Sequence, residues 1–198
     1  GCLAGALPTV DQLMQLLLYR ELLELKFGRK LPLISGGSSA VLPLVMAGQL
    51  PVGINHFRIG EALFLGTDLI NGGTLPGLRD DVVLLEAEIA EIKEKSLMPP
   101  GETMSLAPFS NDADGGNSNA SDTPVAPGQR GYRALVSLGH LDADVDGLQP
   151  LDSGFQIAGA SSDLTVVNIG DSARNLKVGD TITFRMNYAA MLRLMSGR

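Results

Sequence analysis

The sequence predicts an α/β fold followed by an all-β fold, with the change of style near residue 80 of 198. Two patterns predict it. Up to that point short apolar strands alternate with helical stretches, the mark of βα units and a parallel sheet. Beyond it, Thr181-Ile182-Thr183-Phe184-Arg185-Met186 alternates polar and apolar residues, the period of a half-buried strand. Further short strands with Gly, Asp and Pro turns between them suggest an antiparallel sandwich or barrel.

Pro8-Thr9-Val10-Asp11-Gln12 opens the first helix. Thr9 is an N-cap, and Gln12 completes a capping box. Met14, Leu18, Leu22 and Leu25 then recur at helical spacing, and Gly28 supplies the positive φ that ends the helix. Residues 31–34 read as a strand, Ser35-Gly36-Gly37-Ser38-Ser39 as a tight turn, 41–47 as a short helix stopped by Gly48, and 53–57 as a second strand. In the second half, 132–138, 156–159 and 164–169 read as strands. Residues 84–95 carry two signals: a wealth of helix formers, and alternation of Leu85, Ala87 and Ile89 with Glu86 and Glu88. Residues 110–127 are poor in apolar side chains and rich in Asn, Asp, Ser, Gly and Pro, which predicts an exposed, flexible loop. The Asn119-Ala120-Ser121 sequon inside it reads as chance, because no signal peptide precedes it.

The net charge of −7 argues against a nucleic-acid binder and against a polybasic membrane contact. No apolar run approaches the ~20 residues that span a bilayer. With Cys2 as its one cysteine the chain forms no internal disulfide, which fits a reducing, cytoplasmic setting. The sequence opens at Gly1 without a Met and reads as a cut through a longer protein.

Two stretches have the chemistry of an anion site. In the Ser-Gly-Gly-Ser-Ser turn, glycines let backbone approach an anion, a helix N-terminus offers unpaired N–H groups, and Ser39 adds a hydroxyl. Small residues suit any tight βα turn, so the stretch by itself also reads as an unliganded connection. In Arg58-Ile59-Gly60-Glu61, a cation sits where an apolar strand ends, the side of an α/β sheet on which ligands gather. Its plain alternative is a surface arginine in a salt bridge. Asp142-Ala143-Asp144-Val145-Asp146-Gly147 imitates a calcium loop, but Ser153 stands where a bidentate Glu belongs. His56 and His140 are the only histidines, and no zinc cluster forms around them in the sequence, so no metal site is expected. Tyr188, after the last strand, reads as core with a satisfied hydroxyl.

These signals occur in the order seen in one family. Gly36-Gly37-Ser38-Ser39, then Arg58-Ile59-Gly60-Glu61-Ala62-Leu63-Phe64-Leu65-Gly66, then Val178-Gly179-Asp180-Thr181-Ile182-Thr183-Phe184 with Asn187-Tyr188, resemble the alanine racemase superfamily. Leu85-Glu86-Ala87-Glu88-Ile89, Asp144-Val145-Asp146-Gly147-Leu148 and Gly159-Ala160-Ser161-Ser162-Asp163 bring the likeness closest to its ornithine racemase-like branch. The resemblance decides residues 84–95 in favour of strand. It implies the C-terminal part of a TIM-type (β/α) barrel over 1–78, then a mostly antiparallel β domain over 79–198 with a flexible loop at 110–128. The implied activity is racemisation of a free amino acid with pyridoxal 5′-phosphate, by a homodimer. Ser39, the backbone of Gly60 and Glu61, and the Tyr188 hydroxyl would hold the cofactor phosphate. Arg58 would face the pyridine nitrogen, where a guanidinium has no capacity to accept a proton and so leaves that nitrogen unprotonated. Racemisation needs a base on each face of Cα. One is the family's Schiff-base lysine, which belongs to an early barrel strand absent from these residues. The other is a tyrosine after a Val-x-x-Gly pattern, and in Val136-Ser137-Leu138-Gly139-His140 that position holds His140. A related barrel decarboxylase, a non-catalytic cofactor-binding protein and an inactive interaction fragment are the alternatives.

Overall fold

The computed structural model describes residues 6–97, 129–171 and 173–197. Cys2, the expected 110–128 loop and the Asn119 sequon lie outside the described residues. The chain divides into two compact units, Gly1–Val83 and Leu84–Arg198.

In the first unit, α1 spans Val10–Phe27. Its capping box forms as the sequence predicts: the Thr9 hydroxyl accepts from the Gln12 N–H at 3.2 Å, and Gln12 Oε1 accepts from the Thr9 N–H at 3.2 Å. Gly28 ends the helix at φ 63°. The stripe at helical spacing is not the face that packs within this unit. Met14, Leu18, Leu22 and Leu25 are exposed, whereas Leu13 is buried with Leu16 and Leu17 packed beside it. The helix is leucine-rich on more than one face, so periodicity gives its existence but not the side it packs with.

Strand β1 is Ser35–Ser38 and pairs in parallel with β2, His56–Arg58. Both predicted strands are therefore shifted toward their C-terminal ends. The apolar stretch 31–34 is held by a side chain instead. Asn55 Oδ1 accepts from the Ile34 N–H at 2.8 Å, and Asn55 Nδ2 donates to the Pro32 carbonyl at 2.8 Å. Ladder pairing then begins at Ser35, opposite His56. A 3-10 turn over Ser39–Val41 leads into α2, Leu42–Met46, and Gly48 follows at φ 67°. Helix α3, Glu61–Leu65, ends at Gly66, whose φ of 67° and approach to the Arg79 carbonyl (2.5 Å from where a Cβ would stand) both require glycine. Leu13, Ile34, Val41 and Ile54 form the small core of this unit. Asp68 is buried, and its carboxylate accepts from the N–H groups of Ile70 and Asn71 and from the Asn71 amide, which lowers its pKa.

The second unit is one six-stranded antiparallel sheet. Its strands are β3 (Leu85–Ser96), β4 (Arg130–Val136), β5 (Leu148–Pro150), β6 (Gln156–Ala160), β7 (Thr165–Gly170) and β8 (Thr181–Met186). The order is β5-β8-β3-β4-β7-β6, and the two edge strands approach one another, so the sheet is nearly closed. Strand β3 decides the ambiguous segment. Its first part pairs with β8 and the rest with β4, across an irregularity between Ile89 and Glu91. Two-sided pairing and the burial of Ala87 and Ile89 outweigh the helix propensity of its glutamates. Inward-facing Ile89, Val136, Val167, Ile169 and Phe184 are fully buried and make the core. Thr165 is buried among them, its hydroxyl donating to the Leu138 carbonyl at 2.7 Å. After β8 comes α4, Tyr188–Ser196, which the sequence reading did not predict. Its signal was Asn187, whose side chain caps the helix by accepting from the Ala190 N–H at 2.9 Å.

Candidate functional site

Ser38 is the Cα partner of Arg58 across β1 and β2, so Ser39 and Arg58 stand at the same end of the strand pair. Ser39 is buried, with 3% of its surface exposed. Its hydroxyl oxygen accepts from the Ala62 N–H at 3.1 Å and, more weakly, from the Gly60 N–H at 3.4 Å. Gly60 is the N-cap residue of α3 and makes no side-chain cap of its own. Ser39 therefore caps α3 from another turn of the chain, and among the described residues its hydroxyl only accepts. A hydroxyl that accepts from two N–H groups still has one O–H to donate.

Arg58 ends β2 with an exposed side chain. Its Nη1 donates to the Ser35 hydroxyl at 2.7 Å. Among the described residues no carboxylate pairs with it. Glu61 opens α3, and partial burial raises its carboxyl above the ordinary range. The two glycines of the turn have separate causes. A Cβ on Gly36 would lie 2.5 Å from Ile54 Cγ2, so packing demands glycine there. Gly37 has φ +127°, with nothing within 4 Å of where a Cβ would stand.

His140 and Tyr188 belong to the second unit. His140 is exposed on the loop after β4, its N–H donating to the Ser161 carbonyl at 2.9 Å. Gly139 before it is forced by close approach: a Cβ would lie 2.3 Å from the Ser162 carbonyl oxygen. Two of the motif stretches, 136–140 and 159–163, are thus packed backbone to backbone. Tyr188 is half-buried in the first turn of α4.

No family model matches the chain. Over 192 residues it is 36% identical to the ornithine racemase of Acetoanaerobium sticklandii, a match covering 97% of this chain and 51% of that protein. Over 196 residues it is 37% identical to the lysine racemase of Thermotoga maritima, covering 99% of this chain and 52% of that one. The chain is a homologue of these amino-acid racemases. It spans about half the length of the curated relatives it matches. Among solved structures, a D-threonine aldolase from Filomicrobium marinum aligns with 85% of this chain and 36% of its own, at 14% identity and a TM-score of 0.45.

In this racemase homologue the described residues contain no group of three or more His, Cys, Asp or Glu placed to hold a metal ion. The calcium-like stretch is a turn instead: Asp142 accepts from the Gly139 N–H at 3.1 Å, and Val145–Gly147 forms a 3-10 turn. No helix among the described residues is long and apolar enough to cross a membrane. Ser35 is the residue that the sequence reading missed. Its signal was its place on the strand beside Arg58, hidden because the turn was read as starting at Ser35.

Proposed function

We propose that this chain is part of a pyridoxal-phosphate-dependent racemase of free basic amino acids, the substrate class following from the ornithine and lysine racemases it matches. Residues 1–78 are taken as the C-terminal part of a TIM-type barrel that carries the cofactor rim, and 79–198 as the β domain. The lysine that anchors the cofactor belongs, on this reading, to the half of the relatives' length that the chain does not match. The working protein is proposed to be a cytoplasmic homodimer.

One observation carries the reading. A buried serine hydroxyl, the α3 backbone it caps and a guanidinium with no carboxylate partner among the described residues stand together at one end of two parallel strands. These residues fit the cofactor. The Ser39 O–H hydrogen and the backbone N–H of Glu61 suit a phosphate. Arg58 suits an acceptor with a lone pair, such as a ring nitrogen, and cannot hand it a proton at neutral pH because guanidinium stays charged. The Tyr188 hydroxyl is a proposed further phosphate ligand. His140 is proposed as the second base, since an imidazole nitrogen can accept a proton. When bound, pyridoxal phosphate supplies the electron sink that acidifies the substrate's Cα–H. The exposed Arg58 charge leaves the ring nitrogen unprotonated, which restrains side reactions such as transamination.

Equilibrium dialysis of the full-length protein against pyridoxal phosphate tests the assignment. Arg58→Ala and Ser39→Ala are each expected to weaken binding at least tenfold, the worth of a hydrogen bond to a charged group. Unchanged affinity in both would remove the site. His140→Phe is expected to abolish racemisation while leaving cofactor affinity intact.

A further inference from the structure

An exposed arginine at the end of a strand normally samples many rotamers. Arg58 does not have that freedom, because its Nη1 is bonded to Ser35 Oγ at 2.7 Å. The strand pairing explains why this hydroxyl reaches it. Ser35 lies opposite His56, and Ser38 lies opposite Arg58, with an irregularity between the two registers. Ser35 is half-buried at the start of β1, so its own position is set by the sheet.

The chemistry of the partner matters as much as its position. A carboxylate here would take the guanidinium fork in a bidentate pair and cancel its charge. The Ser35 hydroxyl is uncharged and takes one guanidinium N–H here. It steers the group while leaving the remaining donors and the whole positive charge for something else.

We infer that Ser35 is the positioning residue of Arg58: its hydroxyl aims the guanidinium at the ring nitrogen of bound pyridoxal phosphate without neutralising it. This rests on the cofactor reading above. It makes a claim that reading does not, namely that selectivity for a ring nitrogen depends on a hydroxyl that touches neither ring nor phosphate.

The test compares affinity for pyridoxal phosphate with affinity for its 1-deaza analogue, in which C–H replaces the ring nitrogen and accepts no hydrogen bond. Full-length protein freed of cofactor is titrated with each by equilibrium dialysis. Wild type is expected to prefer pyridoxal phosphate by roughly tenfold, about one charged hydrogen bond. Ser35→Val and Ser35→Ala are expected to lose most of that preference, while affinity for the deaza analogue stays at the wild-type level. Ser35→Thr, nearly the same shape as the valine variant but with a hydroxyl, should restore it. In an Arg58→Ala background the Ser35 substitutions should have no further effect. A preference kept in both hydroxyl-free variants, or lost equally in the threonine variant, overturns the inference with the cofactor reading left standing. If wild type binds pyridoxal phosphate no better than Arg58→Ala and Ser39→Ala do, the cofactor reading fails and takes this inference with it.

Discussion

Removing the Ser39 hydroxyl should unfasten α3 even when no cofactor is present. Ser39→Ala deletes the acceptor for the Ala62 N–H at 3.1 Å, while Ala62 itself is fully buried. Loss of an N-cap side chain costs ~0.5–2 kcal/mol. A buried N–H left without a partner costs ~1–3 kcal/mol, and these two ranges describe the same event rather than adding. The Gly60 contact at 3.4 Å is long enough to contribute little. The expected cost is therefore about 2 kcal/mol, near the overlap of the two ranges. With a urea dependence of ~1–3 kcal/mol per molar, the midpoint of the first unit should fall by roughly 0.7–2 M. Hydrogen exchange at the Ala62 amide gives the local readout, since its protection should drop before that of Ile89 or Val167 in the β sheet. Ser39→Thr keeps the hydroxyl and should behave like wild type. An Ala62 amide equally protected in Ser39→Ala and wild type, with an unmoved urea midpoint, would refute the capping argument.

The remaining predictions concern burial, caps and charge. Phe184 is fully buried at the centre of the β core, so Phe184→Ala should destabilise the second unit by ~3–5 kcal/mol in denaturant titration. Thr9→Ala removes half of the α1 capping box and should cost about 1 kcal/mol, read as a lower thermal midpoint of the first unit. Glu61→Gln should stabilise the fold at neutral pH. Its folded pKa is raised by burial, so the charged form costs stability at any pH above that pKa, and the advantage of the variant should fade as pH falls through it toward the unfolded value. Asp68 has the opposite sign. Its folded pKa is lowered by hydrogen bonds from Asn71 and Ile70, so its contribution is full above the unfolded carboxylate value and is lost as pH falls through the folded one. Acid titrations of Glu61→Gln and Asp68→Asn against wild type measure both.

Local rules were the legible part of this sequence. The Thr9–Gln12 box and the Gly28 stop depend on neighbours within a few residues, and they form as expected. The alternation in Thr181–Met186 survives because one face of that strand is buried and the other is not. What failed was whatever depends on a distant partner. The packing face of α1 is set by Ile34, Val41 and Ile54, which periodicity within the helix does not reveal. The start of β1 moved to Ser35 because the Asn55 side chain occupies the backbone of residues 32 and 34. Strand β3 was assigned correctly only through the family resemblance, since its composition favours a helix and its two partners lie 34 or more residues away. At the candidate site the residue types were legible. The links between them, Ser39 to Ala62 and Ser35 to Arg58, span 23 residues each and needed the fold.

A crystal structure of the full-length protein with pyridoxal phosphate bound tests the central claim most directly. The account predicts a phosphate oxygen about 2.7 Å from Ser39 Oγ and within hydrogen-bond distance of the Glu61 N–H, with Arg58 still bonded to Ser35 and reaching the ring nitrogen. A phosphate bound elsewhere, with Ser39 still serving only α3 and Arg58 pointing into solvent, would contradict it.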